Sequence, residues 1–197
     1  MKRLKDTKSI RREMEKVQDE RRYEHTLGVA YTATALAMRY DIPLKAAEIA
    51  GLLHDCAKCM DDDKKISFCE KHNILFSDIE RNNPYLLHAK VGSFLAMDTY
   101  QIEDTDILNA ILNHTTGRPG MSTLEKIVFI ADYIEPNRKH APNLAEIRKL
   151  AFEDLDKALL WILKDTLAYL HSTGGQIDPM TQKTYDYYVE HANITAN

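Results

Sequence analysis

The sequence predicts an all-α protein built as a bundle of helices, and three observations carry that reading. Apolar and small residues recur at helical spacing over most of the chain. The segments with that period are separated by start and stop signals, a proline just inside a start or a Ser or Asp just before one. No convincing run alternates apolar and polar residues as a half-buried strand does, and no internal repeat appears.

Taken in order, Ser9 to about Gln18 reads as a charged amphipathic helix through Ile10, Met14 and Val17. Glu20 to Tyr40 follows, with Leu27, Ala30, Thr34, Ala37 and Met38 on one face. Asp41-Ile42-Pro43 interrupts it, and Pro43 opens a helix from Leu44 to Cys56. Asp61-Asp62-Asp63 reads as an N-cap cluster for Lys64 to His72. Asn82-Asn83-Pro84 is a turn signal that starts a helix from Tyr85 to about Thr99, and Glu103 to Asn113 comes next. After the loop Thr115–Gly120, Ser122 caps a helix through Asp132, with Glu125 as its capping-box partner. Beyond a second loop, Pro136 to Pro142, lie helices from Asn143 to Leu150 and from Phe152 to His171, the latter ended by Gly174-Gly175. Thr181 to about His191 is the last. No linker divides the chain, so the expectation is one domain over residues 1–197 with a core of about 9–190.

Composition narrows the function. A chain of 197 residues, 44% hydrophobic and 28% charged, is long enough to bury a core and ordinary for a soluble globular protein. The net charge of −4 argues against bulk nucleic-acid binding, so any phosphate recognition must be local. The start Met1-Lys2-Arg3-Leu4-Lys5 lacks a following apolar stretch, and no apolar run reaches membrane-spanning length. The expectation is a cytoplasmic protein, not a membrane one, with reduced thiols. Cys56-x-x-Cys59 with Cys69 is a weak zinc pattern, and incidental thiols are the preferred reading.

The chemistry centres on His54-Asp55, which close the apolar run Ala46–Leu53. Imidazole and carboxylate together suit a divalent metal such as Fe, Mn, Zn or Co. An Asp at a helix C-terminus opposes the helix dipole and calls for a compensating cation. His25, His88, His114 and Asp132 sit similarly near the ends of apolar segments. Each has a plainer reading alone: His25 as a capping or surface histidine, His88 as a hydrogen-bonded core histidine, His114 as a helix cap. Asp132, inside Ile127–Ile134, is the least ordinary, because a buried carboxylate needs a partner. Together they form an N/O ligand set that a helical bundle can project into one cavity. His72, His140, His171 and His191 lie in polar or loop contexts and read as ordinary.

His25, His54-Asp55 and Asp132 in this order resemble the metal signature of the HD-domain phosphohydrolases, and His88 with His114 resembles their subgroup with extra histidines and a two-metal centre. Blocks at Arg22–Ala30, Leu52–Lys58, Leu87–Ala89, His114–Gly117 and Ala131–Arg138 are similar to the bacterial YqeK family. The resemblance implies an HD-domain helical bundle. It further implies a hydrolase that cleaves diadenosine tetraphosphate symmetrically into two ADP by attack of a metal-activated water, with iron the expected metal.

On that reading His25, His54, Asp55 and Asp132 hold a first metal, and Asp55 bridges to a second held by His88 and His114. With one metal only, His88 and His114 become phosphate donors or the leaving-group acid. Lys58 would neutralise a nonbridging oxygen, or else be a surface lysine helping the helix end. Arg138 would grip a terminal phosphate, or be a solvated loop residue. The loop Thr115-Thr116-Gly117 offers hydroxyl and backbone donors, or is a plain turn. The substrate side thus comprises Lys58, His88, His114, Thr115, Asp132 and Arg138, with Lys58, His88 and His114 the catalytic candidates. Tyr133 or the segment near Gln176-Ile177 would lie against adenine. The partner is a small nucleotide, and a homodimer stays open. Rival readings are an HD-type nucleotidase or other nucleotide phosphohydrolase, a non-catalytic nucleotide-binding protein, and a helical interaction module with incidental histidines.

Overall fold

The computed structural model describes residues 6–174 and 176–192. Among these every regular element is helical: α1 Thr7–Val17, α2 Glu20–Arg39, α3 Leu44–Leu53, α4 Asp62–Lys71, α5 Asp78–Asn82, a 3-10 turn Pro84–Leu87, α6 His88–Asp98, α7 Thr105–Asn113, α8 Thr123–Ile134, α9 Leu144–Ala151, α10 Leu155–Thr173 and α11 Pro179–Ala192. The chain is therefore all-α. Local chemistry sets most starts. Asp6, Asp19, Asp104 and Asp154 accept backbone N–H groups at the N-termini of α1, α2, α7 and α10. Ser77 with Glu80 and Ser122 with Glu125 form full capping boxes. Each such cap contributes about 1 kcal/mol.

The core lies where α2 packs on α3 and α8, α3 on α7 and α8, and α10 on α8, α9 and α11. Leu36, Leu52, Leu53, Ile111, Ile127 and Ile130 are fully buried there. Truncating one of these to Ala costs about 2–5 kcal/mol. One close approach fixes the site. A Cβ on Gly51 would lie 2.6 Å from the Cα of Ala30, so α2 and α3 cross almost backbone to backbone. That crossing brings the N-terminal half of α2 over the end of α3. A smaller cluster of Ala57, Cys69, Leu87 and Val91 ties α4 and the 3-10 turn to α6.

Several expectations need correction. The buried face of α2 is Thr26, Val29, Ala30, Ala33, Leu36 and Ala37, while Met38 is 65% exposed. Small residues fill the face where α3 comes closest, and Met38 lies off that face. Val17 at the end of α1 is 50% exposed. The helix read as Leu44 to Cys56 stops at Leu53, and tight turns follow, with Cys56 N–H donating to Leu53 O at 3.1 Å and Lys58 N–H to Asp55 O at 3.0 Å. The helix read as Tyr85 to Thr99 is split into a 3-10 turn and α6, and α5 with its Ser77 box was not foreseen. Helix α10 starts at Leu155, because Asp154 rather than Phe152 carries the cap. Gly174 ends it at φ 66°, and Gly175 lies outside the described residues.

Candidate metal centre and active site

Three histidines are presented by the same local device. His54, His88 and His114 stand where a helix ends or begins, and each ring aims Nδ1 at the carbonyl three residues back. The distances are 2.7 Å to Gly51 O, 2.6 Å to Tyr85 O and 2.7 Å to Ile111 O. A nitrogen that close to a carbonyl oxygen carries the proton, so this network assigns a bare Nε2 to each ring. His25 is held by carboxylates instead: its Nδ1 lies 3.3 Å from Oε1 of the buried Glu135, and its Nε2 faces Asp132 Oδ1. A carboxylate behind an imidazole is the arrangement that orients and strengthens a metal ligand.

The four Nε2 atoms form two pairs around Asp55. His25 and His54 face each other at 3.4 Å, and His88 and His114 at 3.1 Å. Asp55 Oδ2 lies 3.6 Å from His54 Nε2 and 4.0 Å from His25 Nε2. Its Oδ1 lies 3.2 Å from His88 Nε2 and 3.4 Å from His114 Nε2. Asp132 Oδ1 completes the first side, 3.1 Å from His25 Nε2. Overlapping triplets of these six residues bring their ligand atoms within 4.8 Å of one another.

The fit to a cation can be judged from the atoms themselves. Asp55 Oδ1 is buried and has no hydrogen-bond donor among the described residues. It faces the Nε2 atoms of His88 and His114 with Lys58 Nζ no nearer than 3.9 Å, and the bare Nε2 of His54 and of His114 each points into the cluster. Such an array is unfavourable unless a positive centre sits between the groups. The donor set suits a divalent metal.

Burial pushes the His54 imidazole down to about 4 and lowers His88 as well, which keeps both neutral as ligands must be. Burial opposes ionisation of Asp55, but its polar and charged neighbours, Lys58 among them, outweigh it and hold its carboxyl well below the ordinary range. At Asp132 burial is likewise overcome, chiefly by the hydrogen bond from His25, and its carboxyl is lowered too.

Two cations reach the centre from opposite sides. Lys58 Nζ lies 3.1 Å from His88 Nε2 and 3.9 Å from Asp55 Oδ1, and burial lowers its pKa. Arg22 donates to Asp55 Oδ2 at 2.8 Å. Thr115 Oγ1 lies 3.3 Å from the Nε2 of both His88 and His114. Arg138 is turned inward rather than free in its loop, donating to Asp132 O at 2.8 Å and to Asp132 Oδ1 at 3.1 Å.

Two cavities open beside the cluster. A small one of about 180 Å³ is walled by Lys58, His114, Thr115 and Asp132, and a large one of about 870 Å³ by Arg22, His25, Glu135 and Lys139. Tyr133 and Arg138 line both. Gln176 and Ile177 line neither, and Gln176 instead accepts a hydrogen bond from Asn83. His140, read as ordinary, stands in the wall of the large cavity.

Three supporting residues escaped the sequence reading. Glu135 follows Asp132 by three residues, a spacing that could have placed both on one face. Arg22 precedes His25 by the same interval. Gln18, which donates to the Asp55 carbonyl at 3.3 Å, left no signal. A glycine serves Glu135: a Cβ on Gly28 would lie 2.6 Å from its Oε2.

With this helical frame and His/Asp cluster, residues 22–137 match the HD-domain family model, and the chain belongs to that family of metal-binding HD-domain proteins. Its relatives narrow the class. It is 44% identical over 172 residues to the symmetrical bis(5'-nucleosyl)-tetraphosphatase of Bacillus subtilis (strain 168), covering 86% of this chain and 90% of the relative. A protein of the same name from Staphylococcus aureus (strain NCTC 8325 / PS 47) is 37% identical over 171 residues, covering 86% and 87%. The fold matches a crystal structure of a predicted HD superfamily hydrolase involved in NAD metabolism from Clostridium acetobutylicum, with a TM-score of 0.92 and 41% identity over 96% of this chain and 100% of that one. No helix of the described residues is long and apolar enough to cross a membrane.

Proposed function

We propose that this chain is a metal-dependent hydrolase that cleaves diadenosine tetraphosphate symmetrically into two ADP. One observation carries the reading: a carboxylate, Asp55, directs one oxygen to each of two histidine pairs, in a chain similar over most of its length to symmetrical tetraphosphatases. We assign His25, His54, Asp55 and Asp132 to a first metal, and Asp55, His88 and His114 to a second. Iron is the proposed metal, with Mn, Co or Zn as substitutes that the same donors accept. Bound there, the metal would supply a water of lowered pKa and a positive clamp on the attacked phosphoryl group.

The chain's own residues do the rest. Lys58, anchored beside His88, places an ammonium where a nonbridging oxygen gathers charge. Thr115 adds a hydroxyl donor at the same edge. Arg138, fixed on Asp132 between the two cavities, offers its remaining donors to the polyphosphate. Tyr133, which lines both cavities, is the side chain assigned to lie against a base.

The working unit is one HD domain with its core over residues 9–190, and a reducing cytoplasm is the proposed location for its three free thiols. Neither a nucleic acid nor a membrane is part of this reading, and it is indifferent to whether the chain pairs as a homodimer. Chromatography of the products from diadenosine tetraphosphate tests it. ADP as the only nucleotide product is expected, and AMP with ATP would overturn symmetric cleavage.

A further inference from the structure

Arg22 has no role in the assignment above, yet its position is unusual. It stands in the first turn of α2, three residues before His25 and so on the same helix face. Its guanidinium donates to Asp55 Oδ2 at 2.8 Å, the oxygen that faces the His25–His54 pair. That is its one hydrogen bond from side chain to protein among the described residues. The side chain is 33% exposed, and Arg22 lines the 870 Å³ cavity together with Asn137, Arg138 and Lys139.

We propose that Arg22 contacts the polyphosphate directly, anchored by one N–H on Asp55 and presenting its other donors to phosphate oxygens from the large cavity. The proposal rests on the polyphosphate reading above. A guanidinium has five N–H groups in a planar fork, so one hydrogen bond to Asp55 leaves most of them available. A carboxylate oxygen has two lone-pair sites, so Oδ2 can keep Arg22 while facing the histidine pair. The Asp55 contact already orders the long side chain, so little freedom is left to lose when an anion arrives. The chain is acidic overall, at −4, so cations that meet a polyanion must be placed one by one. Arg22 joins Asp55 at the centre of the cluster to the large cavity, as Arg138 joins Asp132 to it.

The experiment measures metal content and ADP affinity in metal-loaded wild type, Arg22→Ala and Arg22→Gln, by elemental analysis and isothermal titration calorimetry. The expected result is wild-type metal content with ADP binding weakened roughly tenfold or more in both variants, the loss of a charge-assisted hydrogen bond. Wild-type ADP affinity in either folded variant overturns the contact. Loss of metal in Arg22→Gln also overturns it, because Arg22 would then act only by holding Asp55. Arg22→Gln keeps an N–H donor for Asp55, so it carries the test if Arg22→Ala fails to fold. AMP and ATP as products of the wild type would sink the symmetric reading without touching this titration, so the two failures are distinguishable.

Discussion

Gly28→Ala separates stability from function at a distance from any reacting atom. The added methyl would stand 2.6 Å from Glu135 Oε2, 3.4 Å from its Cδ and 3.5 Å from its Cβ. Glu135 is buried and cannot simply swing into water. Its Oε2 also accepts from the Asn137 backbone N–H at 2.6 Å, and its Oε1 faces His25 Nδ1 at 3.3 Å. The carboxylate must shift, and the His25 ring loses its support. Replacing a mid-helix glycine by alanine contributes about 1 kcal/mol of helix propensity, while overpacking costs about 1–3 kcal/mol. Net destabilisation is therefore only about 0–2 kcal/mol. Losing the partner behind a ligating histidine costs about 10- to 100-fold in metal affinity or activity.

The expected outcome is a variant with a nearly native melting curve, by circular dichroism, and a clear deficit in metal retained against a chelator. Glu135→Gln, which keeps the shape but not the charge, should show a similar deficit, and the double variant should be far from additive because both act through one ring. A Gly28→Ala protein that holds metal and turns over like wild type would refute the role given to Glu135.

Asp55→Ala should lose most bound metal from iron-supplemented expression; elemental analysis finding it as loaded as wild type would reject the centre. His88→Ala and His114→Ala should lose most hydrolysis but keep much of the metal held by His25, His54, Asp55 and Asp132; near wild-type turnover would make the second pair structural. Gly51→Ala should destabilise by about 1–3 kcal/mol in urea, because its methyl meets the Ala30 backbone rather than a side chain that can yield. Burial pushes the Cys56 thiol up to about 12, so at pH 8 it is almost wholly the unreactive thiol. A thiol reagent at that pH should label the exposed Cys59 first, the half-buried Cys56 more slowly and the fully buried Cys69 only on unfolding; equal labelling of Cys59 and Cys56 in the folded protein would contradict that shift.

The sequence by itself determined the helical class, because period and caps are local. Ser122 with Glu125 closes its box, and Pro43 and Asp41 break the chain where expected. It also determined the ligand types. His54-Asp55 after Leu52-Leu53 and Asp132 within Ile127–Ile134 are polar groups where a core should be. Tertiary structure decided what local signals could not. The exposure of Met38 and the burial of Ala33 depend on how closely α3 approaches α2, and only the packing of Gly51 on Ala30 sets that. The tight turns at His54–Lys58 and the 3-10 turn before His88 depend on what the rings face, since each histidine gives one nitrogen to a carbonyl and the other to the cavity. Arg22, Gln18 and Glu135 lie 33, 37 and 110 residues in sequence from the groups they hold. No periodicity encodes such separations, because the contacts exist only once the helices are packed.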